Sequence, residues 1–331
     1  MTPMLRLLPA LFALGVGLPA AAALPPAPSA AVARQIGQYG TTDDILTIYE
    51  DHGNLFADGH GLHAAPVQSK HGGLQVPLHG ALVAIRFMPT GKPATEIVLG
   101  GDHLRRHDFG AEVVAGIRAK VKADPARLRT EALAATPPAE TGKRPPDLVA
   151  LTTLDPRIRL DIRYATSNNF MGFPLYEQPG AYLQRPAAEA LGRAQEALAA
   201  QGYGLLIHDA YRPWFVTKMF WDATPAEDRV FVADPAEGSK HNRGCAVDLT
   251  LYDLKTGKAV EMTGRYDEMS TRSYADFVGG TSRQRALRAI LRKAMEAEGF
   301  TVYPQEWWHF DYKDWASYGI GTATFTELAK R

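Results

Sequence analysis

Two short stretches of this 331-residue chain bring metal-competent and acid–base side chains close together. The first is Ser239-Lys240-His241-Asn242-Arg243-Gly244-Cys245-Ala246-Val247-Asp248, and the second is Glu306-Trp307-Trp308-His309. His241 falls in a Gly-containing loop, and Asp248 on the strand-like run that follows it. A third nitrogen ligand completes a three-ligand site whose fourth position stays open to water, the arrangement of catalytic zinc. His309 is the candidate for that ligand, and Glu306 lies beside it. Zinc lowers the pKa of its water toward ~7, but protons must still be taken and delivered. A nearby carboxylate outside the ligand set suits that task. The chemistry suggested is metal-assisted hydrolysis.

Each residue also has an ordinary reading. A lone histidine is more often a surface or hydrogen-bonded one; Asp248 can serve a turn or cap, and Glu306 can pair with an arginine. What favours a site is three metal-competent groups and a base in two compact motifs. The single cysteine, Cys245, excludes an intrachain disulfide and a Cys-rich structural zinc site. Metal ligands must therefore be His, Asp or Glu.

These motifs need elements to hold them. Pro186 suits the first turn of a helix, which runs to about Gln201 with Leu191 and Leu198 on one face and Gly202 as its cap. Leu205–Asp209 and Ala246–Tyr252 are expected as short buried strands. Ser282–Glu298 reads as an amphipathic helix, with Leu287, Ile290, Leu291 and Met295 on one side and Gly299 after it. Thr301–Tyr303 and Trp308–Tyr312 are further strands. Upstream, Ile45–Tyr49 alternates apolar and polar residues as a half-buried strand does. Ala81–Met88 and Thr95–Leu99 are strand-like, with a turn at Pro89-Thr90-Gly91. Ala111–Ala135 looks helical with a break at Pro125.

The organisation expected is a signal peptide at 1–23, a Pro/Ala-rich linker at 24–39, an accessory β-rich domain at 40–135 ending in a helical segment, a Pro-rich linker at 136–146, and a catalytic domain at 147–331. A chain beginning near Glu140 is then expected to fold and keep its activity, because every candidate catalytic residue follows the second linker. The signal peptide rests on Arg6, an apolar run over 7–18 and small residues at Ala21–Ala23. Gly15, Gly17 and Pro19 interrupt that run, which falls short of the ~20 residues that span a bilayer. The mature protein is expected to be exported, with no transmembrane segment.

The motifs together resemble the VanX-type D-alanyl-D-alanine dipeptidases, zinc enzymes of the D-Ala-D-Ala metallopeptidase clan. Besides S-x-H-x-x-G-x-A-x-D and E-x-W-H, three further runs match in order: Leu160–Phe170, His208-Asp209-Ala210-Tyr211-Arg212-Pro213, and Met262–Ser270. The resemblance covers about residues 147–315. It implies an α+β fold with a central antiparallel sheet flanked by helices. It implies one zinc per chain on His241, Asp248 and His309, with Glu306 as general base and then acid. It also implies that Arg212 stabilises the oxyanion, that Asp267 and Tyr164 hold the substrate's ammonium, and that Ser239 lines the same pocket. A fixed guanidinium beside the metal agrees with that oxyanion role. The implied substrate is a small D,D-dipeptide, cleaved by attack of zinc-activated water. Two departures stand out. Cys245 sits where the family often has a small polar residue, and packing as a small hydrophobe is the expectation for it. Met262-Thr263-Gly264 replaces Met-Gly-Thr, which alters the turn but not Asp267.

Composition supports a globular reading. Thirty-six Lys+Arg balance 36 Asp+Glu, and 46% of residues are apolar, which excludes disorder as the dominant state. The balance leaves no electrostatic footprint for nucleic acid. Seven of ten histidines precede residue 110, His60 and His63 among them; beside glycines in turn-like segments, they read as solvated rather than as a second metal site. The stretches Ile48–Leu55 and Val98–Leu104 resemble, at low specificity, the β domain appended to some exported hydrolases. Trp214, Trp221, Trp307 and Trp308 are expected in the core or pocket wall. Two rival functions remain at this level: a D,D-carboxypeptidase or peptidoglycan endopeptidase of the same clan, acting on longer stem peptides, and a non-catalytic cell-wall-binding protein. Oligomeric state is not legible.

Overall fold

The structure, a computed structural model, describes residues 23–70 and 72–330. The expected signal peptide lies outside these residues, apart from Ala23. Among the described residues, no helix is long and apolar enough to cross a membrane.

Alternating, turn-punctuated sequence over 37–105 forms two antiparallel meanders. β1 (Gly37–Thr41), β2 (Asp44–Asp51), β3 (Asn54–Gly59) and β4 (Leu62–Pro66) make the first. β5 (Gln68–Lys70), β6 (Gly73–Leu78), β7 (Ala81–Met88), β8 (Glu96–Leu99) and β9 (Asp102–Arg105) make the second. Three hairpins close on His-Gly pairs with positive φ at both residues: His52 (47°) and Gly53 (85°), His60 (52°) and Gly61 (75°), His79 (48°) and Gly80 (81°). Two left-handed residues are what a tight hairpin requires for its twist to match the strands. The histidine-rich character of this region is therefore partly turn chemistry. Tyr39, Leu46, Ile48, Val76, Ile85 and Ile97 are fully buried in a core that these strands share.

The linker expected over 24–39 is corrected. It contains the short helix α1 (Ala30–Ala33) and the start of β1, and Tyr39 is fully buried. Gly-Gln-Tyr-Gly-Thr carries no apolar alternation, so pairing with β2, Gly37 opposite Ile48 through Thr41 opposite Asp44, makes the strand.

α2 (Ala111–Ala123) and α3 (Pro125–Ala134) follow, the second capped by the Asp124 carboxylate, which accepts from Arg127 N at 2.9 Å. Grouping them with the β-rich segment is also corrected. Ile117, Val121 and Ala132 belong to the hydrophobic cluster built from residues beyond 146. Their apolar faces are covered by that later sequence and not by the meanders.

β10 (Leu148–Ala150) pairs with β12 (Tyr182–Gln184). β11 (Arg159–Leu160), β13 (Tyr203–Asp209), β14 (Ala246–Asp253), β15 (Phe300–Tyr303) and β16 (Glu306–Tyr312) form a sheet of order β11-β13-β14-β16-β15. It is antiparallel except at one edge, where β11 runs parallel to β13. The connection between them includes β12 and α4 (Arg185–Ala199), long enough to return the chain in the same direction. α4 buries Ala187, Ala190, Leu191, Ala194 and Leu198; α5 (Trp214–Ala223) lies almost wholly in the core. α6 (Ser282–Ala297) starts at a capping box between Thr281 and Gln284. α7 (Phe325–Leu328) ends the described elements.

The meanders and the larger core meet at the start of α6. The buried Glu50 carboxylate accepts from Ser282 N at 2.9 Å and from Ser282 Oγ at 3.1 Å. A carboxylate at a helix N-terminus is favoured by the unpaired N–H groups there. Arg285 donates to Asp51 Oδ1 at 2.8 Å beside it.

Candidate active site

Register places the central acidic and histidine side chains in a row. Asp209 on β13 is the Cα partner of Asp248 on β14, which in turn is the partner of His309 on β16. Directly opposite residues on an antiparallel pair project from one face. His241 arrives from the loop between Gly238 (φ 73°) and Gly244 (φ 67°). At Gly244 a Cβ would lie 2.6 Å from Leu148 Cδ2, so the turn needs glycine for space as well as for φ. The loop is pinned by Arg212 N donating to His241 O at 3.1 Å and by Asn242 Nδ2 donating to Arg212 O at 2.8 Å.

The outer atoms of the three candidate ligands are all engaged. His241 Nδ1 lies 2.6 Å from Ala210 O, an acceptor, and so carries the proton. His309 Nε2 lies 2.9 Å from Asp311 Oδ1 and is assigned its proton on the same ground. Tyr266 OH donates to Asp248 Oδ2 at 3.0 Å. The atoms left are His241 Nε2, His309 Nδ1 and Asp248 Oδ1. They face one another at 3.0 Å between the rings, 3.1 Å from His309 to Asp248 and 3.3 Å from His241 to Asp248. Three lone-pair acceptors this close repel unless a cation or a proton sits among them. Two imidazoles and a carboxylate, each held by an outer partner, fit a divalent ion such as zinc. Without one, a proton serves: burial opposes charge on His309, yet Asp311 and Asp248 hold its pKa well above the usual imidazole value.

Around this cluster lies a cavity of about 310 Å³, lined among others by Tyr164, Arg212, Ser239, Asp267, Glu306 and Trp308. Glu306 Oε2 is 3.6 Å from His309 Nδ1. Burial first, and then the Asp248 and Asp267 charges, push the Glu306 carboxyl up to about 8 against the pull of His309 and Arg212. Such a carboxyl can hold and release a proton near neutrality. Arg212 is buried, donates through Nε to Asp209 Oδ2 at 2.9 Å, and stands over the Tyr164 ring at 5.2 Å. Burial works against its charge, but Asp209 and the surrounding phenols keep it cationic.

Asp267 is unusual on three counts. Its backbone is left-handed (φ 59°). Its Oδ1 accepts from Tyr164 OH at 2.9 Å, whereas its buried Oδ2 has no hydrogen-bond partner. Burial, with Asp248 adding to it, pushes the carboxyl up to about 7, although the Tyr164 hydroxyl opposes the shift. A cationic donor would satisfy the unpaired oxygen.

The structure thus brings together all eight residues singled out from sequence. Ser239 does so as wall: its Oγ accepts from His241 N at 3.2 Å, which shapes the loop. Sequence reasoning missed Asp209, Tyr266 and Asp311 as orienting partners. Asp311 had a signal, since it stands two residues after His309 on a strand and shares its face. Asp209 sat unexamined three residues before Arg212. Cys245 is fully buried in the core, with its thiol pushed up to about 12 by burial first. His241, Asp248 and His309 are the metal-competent group found among the described residues. His60 is instead held by Asp44 at 2.6 Å and Asp102 at 3.5 Å on opposite ring nitrogens, which do not converge.

The family profile described as D-ala-D-ala dipeptidase matches residues 144–328. A D-alanyl-D-alanine dipeptidase of Escherichia coli is 36% identical over 174 residues, 53% of this chain and 89% of that one. One of Enterococcus faecium is 39% identical over 175 residues, 47% of this chain and 87% of that one. One of Streptomyces coelicolor is 37% identical over 178 residues, with the same coverage of 47% and 87%. A solved LD-carboxypeptidase, LdcB, aligns at 21% identity and a TM-score of 0.29, over 51% of this chain and 69% of that one; so slight a likeness carries no argument.

Proposed function

The chain belongs to the D-ala-D-ala dipeptidase family, a family of peptidases, and from that premise we propose that it is an exported zinc D,D-dipeptidase. It cleaves D-Ala-D-Ala-type dipeptides to free D-amino acids. The observation that carries the reading is the convergence of His241 Nε2, Asp248 Oδ1 and His309 Nδ1, with every outer atom tied and Glu306 3.6 Å from His309. Zinc held there supplies Lewis acidity, bringing the pKa of water toward ~7 and polarising a carbonyl.

The remaining work falls to the chain's own side chains. Glu306 takes the proton from the attacking water and delivers it to the departing amine nitrogen, a role suited to a carboxyl poised near neutrality. Arg212, fixed by Asp209, faces the negative charge that develops on the carbonyl oxygen. Asp267 Oδ2 receives the substrate's ammonium, with Tyr164 orienting its carboxyl. Together these groups require a free amino end within reach of the metal. A cavity of about 310 Å³ matches a dipeptide better than a long stem peptide. Residues 37–105 form the accessory part, and the N-terminal 23 residues direct export.

The test measures amino-acid release from D-Ala-D-Ala, L-Ala-L-Ala and a pentapeptide ending in D-Ala-D-Ala, each with and without chelator. Chelator-sensitive release from D-Ala-D-Ala is expected. Preferential cleavage of the pentapeptide would move the assignment to a carboxypeptidase, and no cleavage of any substrate by zinc-loaded protein would refute a hydrolytic role.

A further inference from the structure

Residues 262–273 cross the catalytic face of the central sheet as a strap, and this strap carries Asp267. One side borders the active-site cavity through Asp267, Glu268 and Met269. The other side borders a second cavity of about 960 Å³, lined by the same three residues together with Val114, Thr250 and Trp307. Met262 and Met269 pack into the larger core, and Thr263, Glu268 and Ser273 are buried, whereas Asp267 stands between the two cavities with few partner atoms on either side. Asp267 is moreover in a left-handed conformation (φ 59°), and sparsely populated backbone persists only when its surroundings over-determine it. Discrete anchors add to the packing of the strap's ends and fix the stretch around Asp267.

Some anchors lie within the family-matched region: Arg288 Nη1 donates to Thr263 Oγ1 at 3.0 Å, and Tyr266 OH donates to Asp248 Oδ2 at 3.0 Å. Three others come from residues upstream of 144. Arg265 Nη2 donates to both oxygens of Asp108, at 2.9 and 2.8 Å. Gln38 Nε2 donates to Thr271 Oγ1 at 3.1 Å. Gly110 packs its backbone against Met269, so closely that a Cβ there would lie 2.3 Å from Met269 O.

We propose that Gln38, Asp108 and Gly110 are positioning residues for substrate recognition: the N-terminal part of the chain clamps the strap from outside so that Asp267 faces the cavity. This rests on the reading that Asp267 receives the substrate's ammonium. The clamp touches neither Glu306 nor a metal ligand directly, and the strap reaches Asp248 only through the Tyr266 hydroxyl, at 3.0 Å, so loosening it acts first on KM for a free-amine dipeptide, with a smaller effect on kcat. It also means that the region shared with the family relatives is held here by residues outside that region.

The full-length chain is the test object, with Asp108→Arg, Gly110→Ala and the double exchange Asp108→Arg with Arg265→Asp. Steady-state kinetics on D-Ala-D-Ala and its N-acetylated form are combined with hydrogen exchange of the 262–273 amides. An exposed ion pair is worth up to about fivefold in an equilibrium. Asp108→Arg removes the pair and adds repulsion, so KM should rise about fivefold or more, with any fall in kcat smaller than that. The rate on the acetylated form should fall less than kcat/KM on the free-amine dipeptide, and the strap amides should exchange faster. The double exchange should restore both readouts. Gly110→Ala should give the larger KM rise; should it fail to fold, the exposed charge pair still decides. Unchanged KM and unchanged exchange in Asp108→Arg, or a loss confined to kcat, overturns the proposal. If the wild-type enzyme does not cleave D-Ala-D-Ala, the functional reading fails, and the exchange data alone then decide whether the clamp exists.

Discussion

Asp267→Asn should make the metal-free protein more stable at pH 8 while weakening substrate binding. In the fold the Asp267 carboxyl is pushed from the ordinary 3.8 up to about 7, by burial first and by Asp248 next. A raised carboxyl pKa means that the folded state binds the proton more tightly than the unfolded chain does. The ionised form therefore costs stability. That cost is absent below the unfolded pKa, grows between 3.8 and about 7, and is complete above the folded pKa. Roughly three units at 1.36 kcal/mol each is about 4 kcal/mol. Asparagine removes the charge, tolerates the left-handed backbone, and keeps an acceptor for Tyr164 OH. Its amide takes the place of the unpaired Oδ2, and a buried unmet donor costs about 1–3 kcal/mol. The net gain should be about 1–3 kcal/mol at pH 8, or about 2–12 °C in Tm at the 2–4 °C per kcal/mol of a mid-sized domain. At pH 4 the gain should vanish and the amide's cost should remain. The assay is thermal melting of chelated wild type and variant from pH 4 to 8; chelation matters because a nearby dication would itself favour the carboxylate. A variant less stable than wild type at pH 8, or a difference that does not change with pH, would refute the electrostatic account of this residue. On D-Ala-D-Ala the same variant should show a raised KM and a smaller preference for the free amine over the N-acetylated form.

Replacing His241, Asp248 or His309 by Ala should lower bound zinc measured by elemental analysis; full occupancy in all three would sink the ligand assignment. Glu306→Gln should retain zinc yet lose about 10²–10⁴ in kcat, the range typical of lost general acid–base catalysis, and near-wild-type turnover would contradict the mechanism. Arg212→Ala should likewise retain zinc and lose rate; it also leaves Asp209 buried without its ion-pair partner, so Arg212→Lys serves as the control for stability. A chain beginning at Glu140 should fold poorly, because it lacks the α2 and α3 residues Ile117, Val121 and Ala132 that complete the larger core. One beginning at His107 should fold better and retain Asp108 and Gly110. Equal melting temperatures for the two truncations would show that α2 and α3 are dispensable.

His241, Asp248, Glu306 and His309 were legible in the linear chain because each pair sits in one short run, where a loop and a strand keep near neighbours near. α4 and α6 were legible for a similar reason: apolar spacing, Pro186, Gly202 and Gly299 act within a turn or two of the helix. The roles of Arg212, Asp267, Tyr164 and Ser239 came from family resemblance, since nothing local says what a lone arginine or aspartate faces. Tertiary structure alone decided the rest. Register put Asp209, Asp248 and His309 side by side across three strands, and it made Asp311, Tyr266 and Ala210 the partners that turn the ligand atoms inward. α2 and α3 joined the larger core although sequence order set them beside the β-rich segment, because an amphipathic helix does not state which apolar surface will cover it. The strap's dependence on Asp108 and Gly110 was equally hidden. A contact across more than 150 residues leaves no periodic trace, and burial, which sets both the pKa of Asp267 and the unmet need of its Oδ2, exists only once the distant segments have packed.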